Sequence, residues 1–164
     1  MMRPATIEIF TEDLCFSAGH FTIFSASERE NFHGHDYHIH AILTTLIDAT
    51  GIRFDYRHYH KKLLALCHEL DGYFLLPANS PHLDVQERQN YIDMRFNGEQ
   101  CSLLKKDCII LAISNTTVEE LSNWILDKLL EDKADIEKNL IQSIEIKISA
   151  SPGKSASTKW QLTN

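Results

Sequence analysis

The chain has 164 residues, of which 43% are hydrophobic and 24% charged, and a net charge of -7 at pH 7. That balance is ordinary for a soluble globular protein, long enough to bury a core without disulfide staples. The acidic excess, the lack of any Lys/Arg cluster and the lack of any long apolar run argue against nucleic acid and membrane as partners.

Met1 to Phe10 has no apolar stretch of signal-peptide type, and Ile7 to Phe21 reads as a strand with Phe16, Ala18 and His20 on one side. Ser25 to Asn31 is polar and reads as a loop. His33 to Thr45 reads as a second strand, followed by a turn at Ala49-Thr50-Gly51. Asp55 is placed to cap a helix in which Tyr59, Leu63, Leu66, Cys67 and Leu70 recur at helical spacing, ending near Gly72. Ser80-Pro81 marks a loop, and His82 to Ile113 reads as extended segments with turns near Asn90 and Asn97-Gly98. Thr117 and Glu120 have capping-box spacing ahead of a stripe of Leu121, Trp124, Ile125 and Leu129. Ile144, Ile146 and Ile148 alternate with Glu145 and Lys147 as in a half-buried strand, and Pro152-Gly153 turns into a last strand around Trp160. The order predicts an α+β fold, with helices on one face of an antiparallel sheet.

Nine histidines are many for this length, and none follows His82. His33-Gly34-His35 puts two imidazoles on one face of a strand, and His20 on the preceding strand faces them if the two pair antiparallel. Three neutral imidazoles with an open fourth position suit zinc, whereas magnesium and calcium want oxygen ligands. By itself the pattern fits either such a centre or a group of surface histidines. His38 and His40 have the opposite parity, so they face away. His58, His60, His68 and His82 read as exposed residues. Cys15, Cys67, Cys101 and Cys108 have no CxxC pairing and read as reduced thiols of a cytoplasmic protein. Ser151-Pro152-Gly153-Lys154-Ser155 lacks the first glycine of a phosphate loop and reads as a turn.

Phe16-Ser17-Ala18-Gly19-His20, then Glu30-Asn31-Phe32-His33-Gly34-His35-Asp36-Tyr37, resembles the metal-site signature of the 6-pyruvoyl-tetrahydropterin synthase and 6-carboxytetrahydropterin synthase family. Thr50 to Tyr56, Leu70-Asp71, Thr116 to Glu119 and Ile144 to Lys159 extend the resemblance over nearly the whole chain, outside an insert of about residues 76–113. The resemblance implies a single domain over 1–164 of the tunnelling type: a four-stranded antiparallel sheet with two helices on one face. It also implies zinc on His20, His33 and His35, a homotrimer or homohexamer, and 7,8-dihydroneopterin triphosphate or a related pterin as small-molecule substrate.

Three departures from the family pattern qualify the activity. No cysteine precedes His33; Glu30 stands three residues before it, similar to the branch in which Glu replaces Cys and the side chain is cleaved to give 6-hydroxymethyl-7,8-dihydropterin. The family's histidine after Asp71 is Gly72, which leaves Asp71 as half of a catalytic pair or as a helix-end residue, with His68 one turn earlier as a substitute. The pterin-anchoring glutamate aligns with Ala150, and Glu145 has the wrong parity to replace it. Thr117 matches a pterin-contact position as well as a helix cap. The expectation is a zinc-dependent lyase with Glu30 and Asp71 catalytic. The alternatives are a zinc-binding paralogue without the chemistry, and an enzyme on a non-pterin phosphorylated substrate.

Overall fold

A computed structural model describes residues 1–163. Its spine is one long strand. β3 (His33–Ile47) has a burial pattern that alternates along most of its length, as the sequence alternation requires. It is long enough to serve two neighbours on one edge. β2 (Cys15–His20) pairs antiparallel with its first half, and β1 (Arg3–Ile9) pairs with its second half. On the other edge β3 pairs with β9 (Ile141–Ser151), and β9 pairs with β10 (Lys154–Gln161). The strand read as one piece from Ile7 to Phe21 is therefore two. A turn closed by the Leu14 amide on the Thr11 carbonyl separates them.

The sheet has seven strands in place of the four expected. One addition is the split of the first strand into β1 and β2; the other two lie at the ends of the insert. β4 (Phe74–Pro77) joins β2 in parallel at Gly19 and Phe74, and β8 (Cys108–Leu111) joins β4 in parallel. Gly19 makes the first of these pairings fit. A Cβ there would come within 2.5 Å of Phe74 Cδ2, so the Phe74 ring occupies space that only glycine leaves free.

Helices α1 (Arg57–Leu70) and α2 (Val118–Leu130) cover one face. Tyr59, Leu63, Cys67 and Leu70 of α1 and Leu121, Ile125, Leu126 and Leu129 of α2 pack on Phe16, Tyr37, Ile39, Leu43, Ile144, Ile146 and Ile148. Asp55 lies one residue outside the helix cap. It binds the Arg57 amide at 3.0 Å while Tyr56 holds the cap position. Thr117 caps α2 through the Glu120 amide, but the Glu120 carboxylate turns to the Ser114 amide, so the box closes on one side only. A short helix that the sequence did not announce, α3 (Lys133–Lys138), precedes β9.

The rest of the insert is a separate three-stranded antiparallel sheet, β5 (Asp84–Glu87), β6 (Tyr91–Phe96) and β7 (Glu99–Leu104), followed by a 3₁₀ turn at Lys105–Asp107. The turn at Asn97-Gly98 has positive φ at both residues, as a tight hairpin needs. This sheet has its own apolar cluster of Leu83, Ile92, Met94 and Phe96 against Phe21, Ile23 and Leu76. No helix among the described residues is long and apolar enough to cross a membrane.

Candidate metal centre and surrounding cleft

The register of β2 and β3 pairs His20 with His33 and Ala18 with His35. Cross-strand partners share a face. His20, His33 and His35 therefore project together, at the end of the sheet where the hydrophobic alternation of β3 gives out. Gly34 pairs with Gly19 between them, and a Cβ at Gly34 would press on the Ala18 carbonyl at 3.1 Å. His20 is 5% exposed, while His33 and His35 open to solvent.

Backbone carbonyls set the tautomers. His20 Nδ1 donates to Thr116 O at 2.8 Å, and His33 Nδ1 donates to Asn31 O at 2.8 Å. A carbonyl can only accept, so both Nε2 atoms are left as bare lone pairs. Those lone pairs converge. His33 Nε2 and His35 Nε2 are 3.1 Å apart, and one nitrogen from each of the three rings lies within 4.8 Å of the others. Tetrahedral bonds of roughly 2.0–2.1 Å to zinc would place such nitrogens about 3.3 Å apart. Among the described residues His20 Nε2 is buried without a partner, a condition that costs about 1–3 kcal/mol unless something satisfies it. Burial lowers the pKa of His20, with the two neighbouring imidazoles adding to the shift, so the neutral ring that a metal needs is favoured. The three rings fit a metal ion with an open fourth position.

Glu30 overhangs this triad. Its Oε2 is 3.8 Å from His33 Nε2. The same oxygen accepts from the Thr22 amide at 2.9 Å, and the Glu30 amide donates to Thr22 O at 2.8 Å. Burial pushes the Glu30 carboxyl up, but the Thr22 amide and the nearby imidazoles outweigh it, and its pKa falls below the ordinary value. The carboxylate is thus held ionised and in one place.

A cleft of about 310 Å³ opens over the triad, bordered by Glu30, Tyr37, Thr117, Glu119, Ala150 and Lys154. Burial raises the Tyr37 hydroxyl well above its ordinary pKa, and this hydroxyl has no partner among the described residues. Thr117 reaches the cleft with its hydroxyl already engaged at the helix cap. Ala150 lines the wall with a methyl group. No local pattern marks Glu119 or Lys154 as a site residue. Glu119 begins α2 and Lys154 begins β10, and only the packing of α2 beside β9 and β10 brings them to this cleft.

Asp71 does not line it. Its carboxylate accepts from the Ser17 amide at 2.7 Å, closing the edge of β2 at the end of α1. Gly72 follows with φ +81°, its amide on Ser17 O. His68 is exposed on α1 and does not border the cleft. A wider cavity of about 920 Å³ lies among Asp36, His38, His40 and Lys147; it shares Ala150, Ser151 and Lys154 with the cleft, and no member of the triad borders it. His38 and His40 thus face away as their parity requires, His40 pairing with Glu8 at 2.9 Å. His58 and His60 are tied to Asp135 and Asp13.

The profile of a family described as 6-pyruvoyl tetrahydropterin synthase matches residues 9–160. A Methanocaldococcus jannaschii protein provisionally named 6-carboxy-5,6,7,8-tetrahydropterin synthase is 26% identical over 145 residues, 87% of this chain and 88% of its own. The crystal structure of 6-pyruvoyl tetrahydropterin synthase from Plasmodium vivax superposes with a TM-score of 0.91 at 26% identity, covering 98% of this chain and 99% of that one. Two variants of that protein, a glutamate replaced by cysteine or by alanine, are described as catalytic-residue mutants. The Plasmodium falciparum synthase gives a TM-score of 0.91 at 27% identity, covering 97% of this chain and 99% of that one.

Proposed function

The chain belongs to the 6-pyruvoyl tetrahydropterin synthase family, and from that premise we propose that it is a zinc-dependent lyase acting on 7,8-dihydroneopterin triphosphate or a related pterin, with Glu30 as its general base. The observation that carries this reading is the Glu30 carboxylate held 3.8 Å from His33 Nε2, beside three converging imidazoles. A glutamate named as catalytic in the P. vivax protein supports it.

His20, His33 and His35 would hold the ion, and their neutrality leaves its charge undiminished. When bound, zinc supplies the positive charge that lowers the pKa of a hydroxyl on the substrate side chain. Glu30 takes the proton released, its second oxygen Oε1 making no hydrogen bond among the described residues. The Thr22 amide keeps the carboxylate from swinging away. Thr117 and Glu119 border the side of the cleft that would receive the pterin, and Lys154 offers a cation at its rim. Asp71, occupied by the Ser17 amide, would act in another subunit's site or as a positioning group at the end of α1. Cytoplasmic location belongs to the same reading, as does a single domain over 1–164 with the insert at about 76–113.

Two observations favour a second reading, in which zinc and fold remain but the pterin chemistry is absent. Ala150 offers no carboxylate for the paired N–H donors of a pterin, and Gly72 offers no imidazole beside Asp71. A zinc-binding paralogue, or an enzyme on a non-pterin phosphorylated substrate, would meet both. Metal analysis and product analysis separate the readings. Freshly purified protein should carry about one zinc per chain, lost in His33→Ala or His35→Ala. With 7,8-dihydroneopterin triphosphate, side-chain cleavage to 6-hydroxymethyl-7,8-dihydropterin supports the lyase. Intact zinc with neither turnover nor pterin binding by calorimetry supports the second reading.

A further inference from the structure

The loop that carries Glu30 is long and polar, of a kind that moves unless it is tied down. One side chain ties it to the insert. Arg29 Nη1 donates to the Glu30 carbonyl at 2.8 Å, and Nη2 reaches Glu99 Oε2 on β7 at 3.2 Å. Its guanidinium lies over three rings, with 5.1 Å to the Phe32 centroid, 5.6 Å to Phe21 and 5.7 Å to Phe96. Phe21 follows the ligand His20, Phe32 precedes the ligand His33, and Phe96 belongs to β6 of the insert. Phe32 also packs on Phe21 and on Phe74 of β4. Although it is cationic, the Arg29 side chain is only 24% exposed.

We propose that Arg29 is a positioning residue that clamps the insert to the loop bearing Glu30, so that the insert fixes the base over the histidine triad. The inference rests on the reading of Glu30 as base, and it concerns how that base is held.

The chemistry suits arginine and no other side chain. A planar fork can give one N–H to a carbonyl and another to a carboxylate while its face lies on aromatic rings. A lysine ammonium is a point charge and cannot meet these demands together. The exposed pair with Glu99 contributes little by itself. Its value is directional, because it turns the fork so that Nη1 faces the Glu30 peptide. Glu30 is then held at its carbonyl by Arg29, at its amide by Thr22 O, and at its carboxylate by the Thr22 amide. Releasing the first of these loosens the loop around Glu30, so that the carboxylate, still bonded to the Thr22 amide, is held less closely over the triad. A shift of about 1 Å in a catalytic group costs on the order of 10²-fold in rate.

The test uses the zinc-loaded full chain and two independent readouts. In Arg29→Met, hydrogen exchange of the backbone amides across residues 21–32 should accelerate roughly tenfold or more, with the amides of β9 unchanged and zinc content unchanged. Turnover should fall by about 10–100-fold with KM little altered, and Arg29→Met added to Glu30→Gln should cause no further loss, because the two act through one carboxylate. Arg29→Lys should recover only part of both signals. Phe96→Leu alters the clamp from the insert side alone and should move exchange and rate in the same direction by less, which keeps the test intact if Arg29→Met does not fold. Unchanged exchange across 21–32, or losses from Arg29→Met and Glu30→Gln that multiply, would overturn the clamp. Faster exchange in a chain whose wild type never turns over the pterin would leave the clamp standing and remove the function proposed above.

Discussion

At the scale of single residues, chemistry follows from which atoms are already spoken for. His20 and His33 each lose one nitrogen to a backbone carbonyl, and the other is thereby aimed at a common point. Glu30 spends one oxygen on the Thr22 amide and keeps the other. Glu30→Gln preserves shape and removes basicity, so turnover should fall by roughly 10²–10⁴-fold while zinc stays bound; a variant as fast as wild type would take the base assignment from Glu30. The triad was readable in the sequence because the HxH period of two places both rings on one face whatever the surroundings. Asp71 was not readable in the same way. Its partner is a backbone amide 54 residues earlier, and no local pattern reports that. Glu119 and Lys154 escaped for the same reason, since two distant elements must pack before either one reaches the cleft.

At the scale of elements, the periodic segments came through and the short ones did not. The stripe from Leu121 to Leu129 and the alternation of Ile144 to Ile148 each repeat often enough to declare a helix and a strand, and both stand. Phe74–Pro77 and Cys108–Leu111 are four residues each, too short for periodicity to speak, and they add the parallel edge of the sheet. Their docking depends on the missing side chain at Gly19. Gly19→Ala would drive a methyl group against the Phe74 ring, 2.5 Å from Cδ2, and the ring is hemmed in by Phe21 and Phe32. The substitution should cost about 1–3 kcal/mol in chemical denaturation, the usual range for overpacking. A loss below about 0.5 kcal/mol, the range of neutral surface changes, would show that β4 can shift freely.

At the scale of the whole molecule, the sheet ends in open strands. Among the described residues β10 pairs only with β9, β8 only with β4, and β1 only with β3. Open edges invite association, and closure between copies is one way to remove them. Light scattering at micromolar concentration should therefore give a homotrimer or homohexamer of the 18.9 kDa chain, and a clean monomer would contradict that assembly. Assembly could also bring Asp71 of one copy near the cleft of another, which would return it to the chemistry. In the proposed function, one zinc ion on His20, His33 and His35 drives a reaction at the pterin side chain. Its most direct test is turnover of 7,8-dihydroneopterin triphosphate by one preparation in three states: as purified, after removal of zinc by a chelator, and after zinc is restored. Activity, loss to background, and recovery in proportion to zinc bound are expected in turn; turnover that persists in the zinc-free protein would rule out the zinc-dependent reaction.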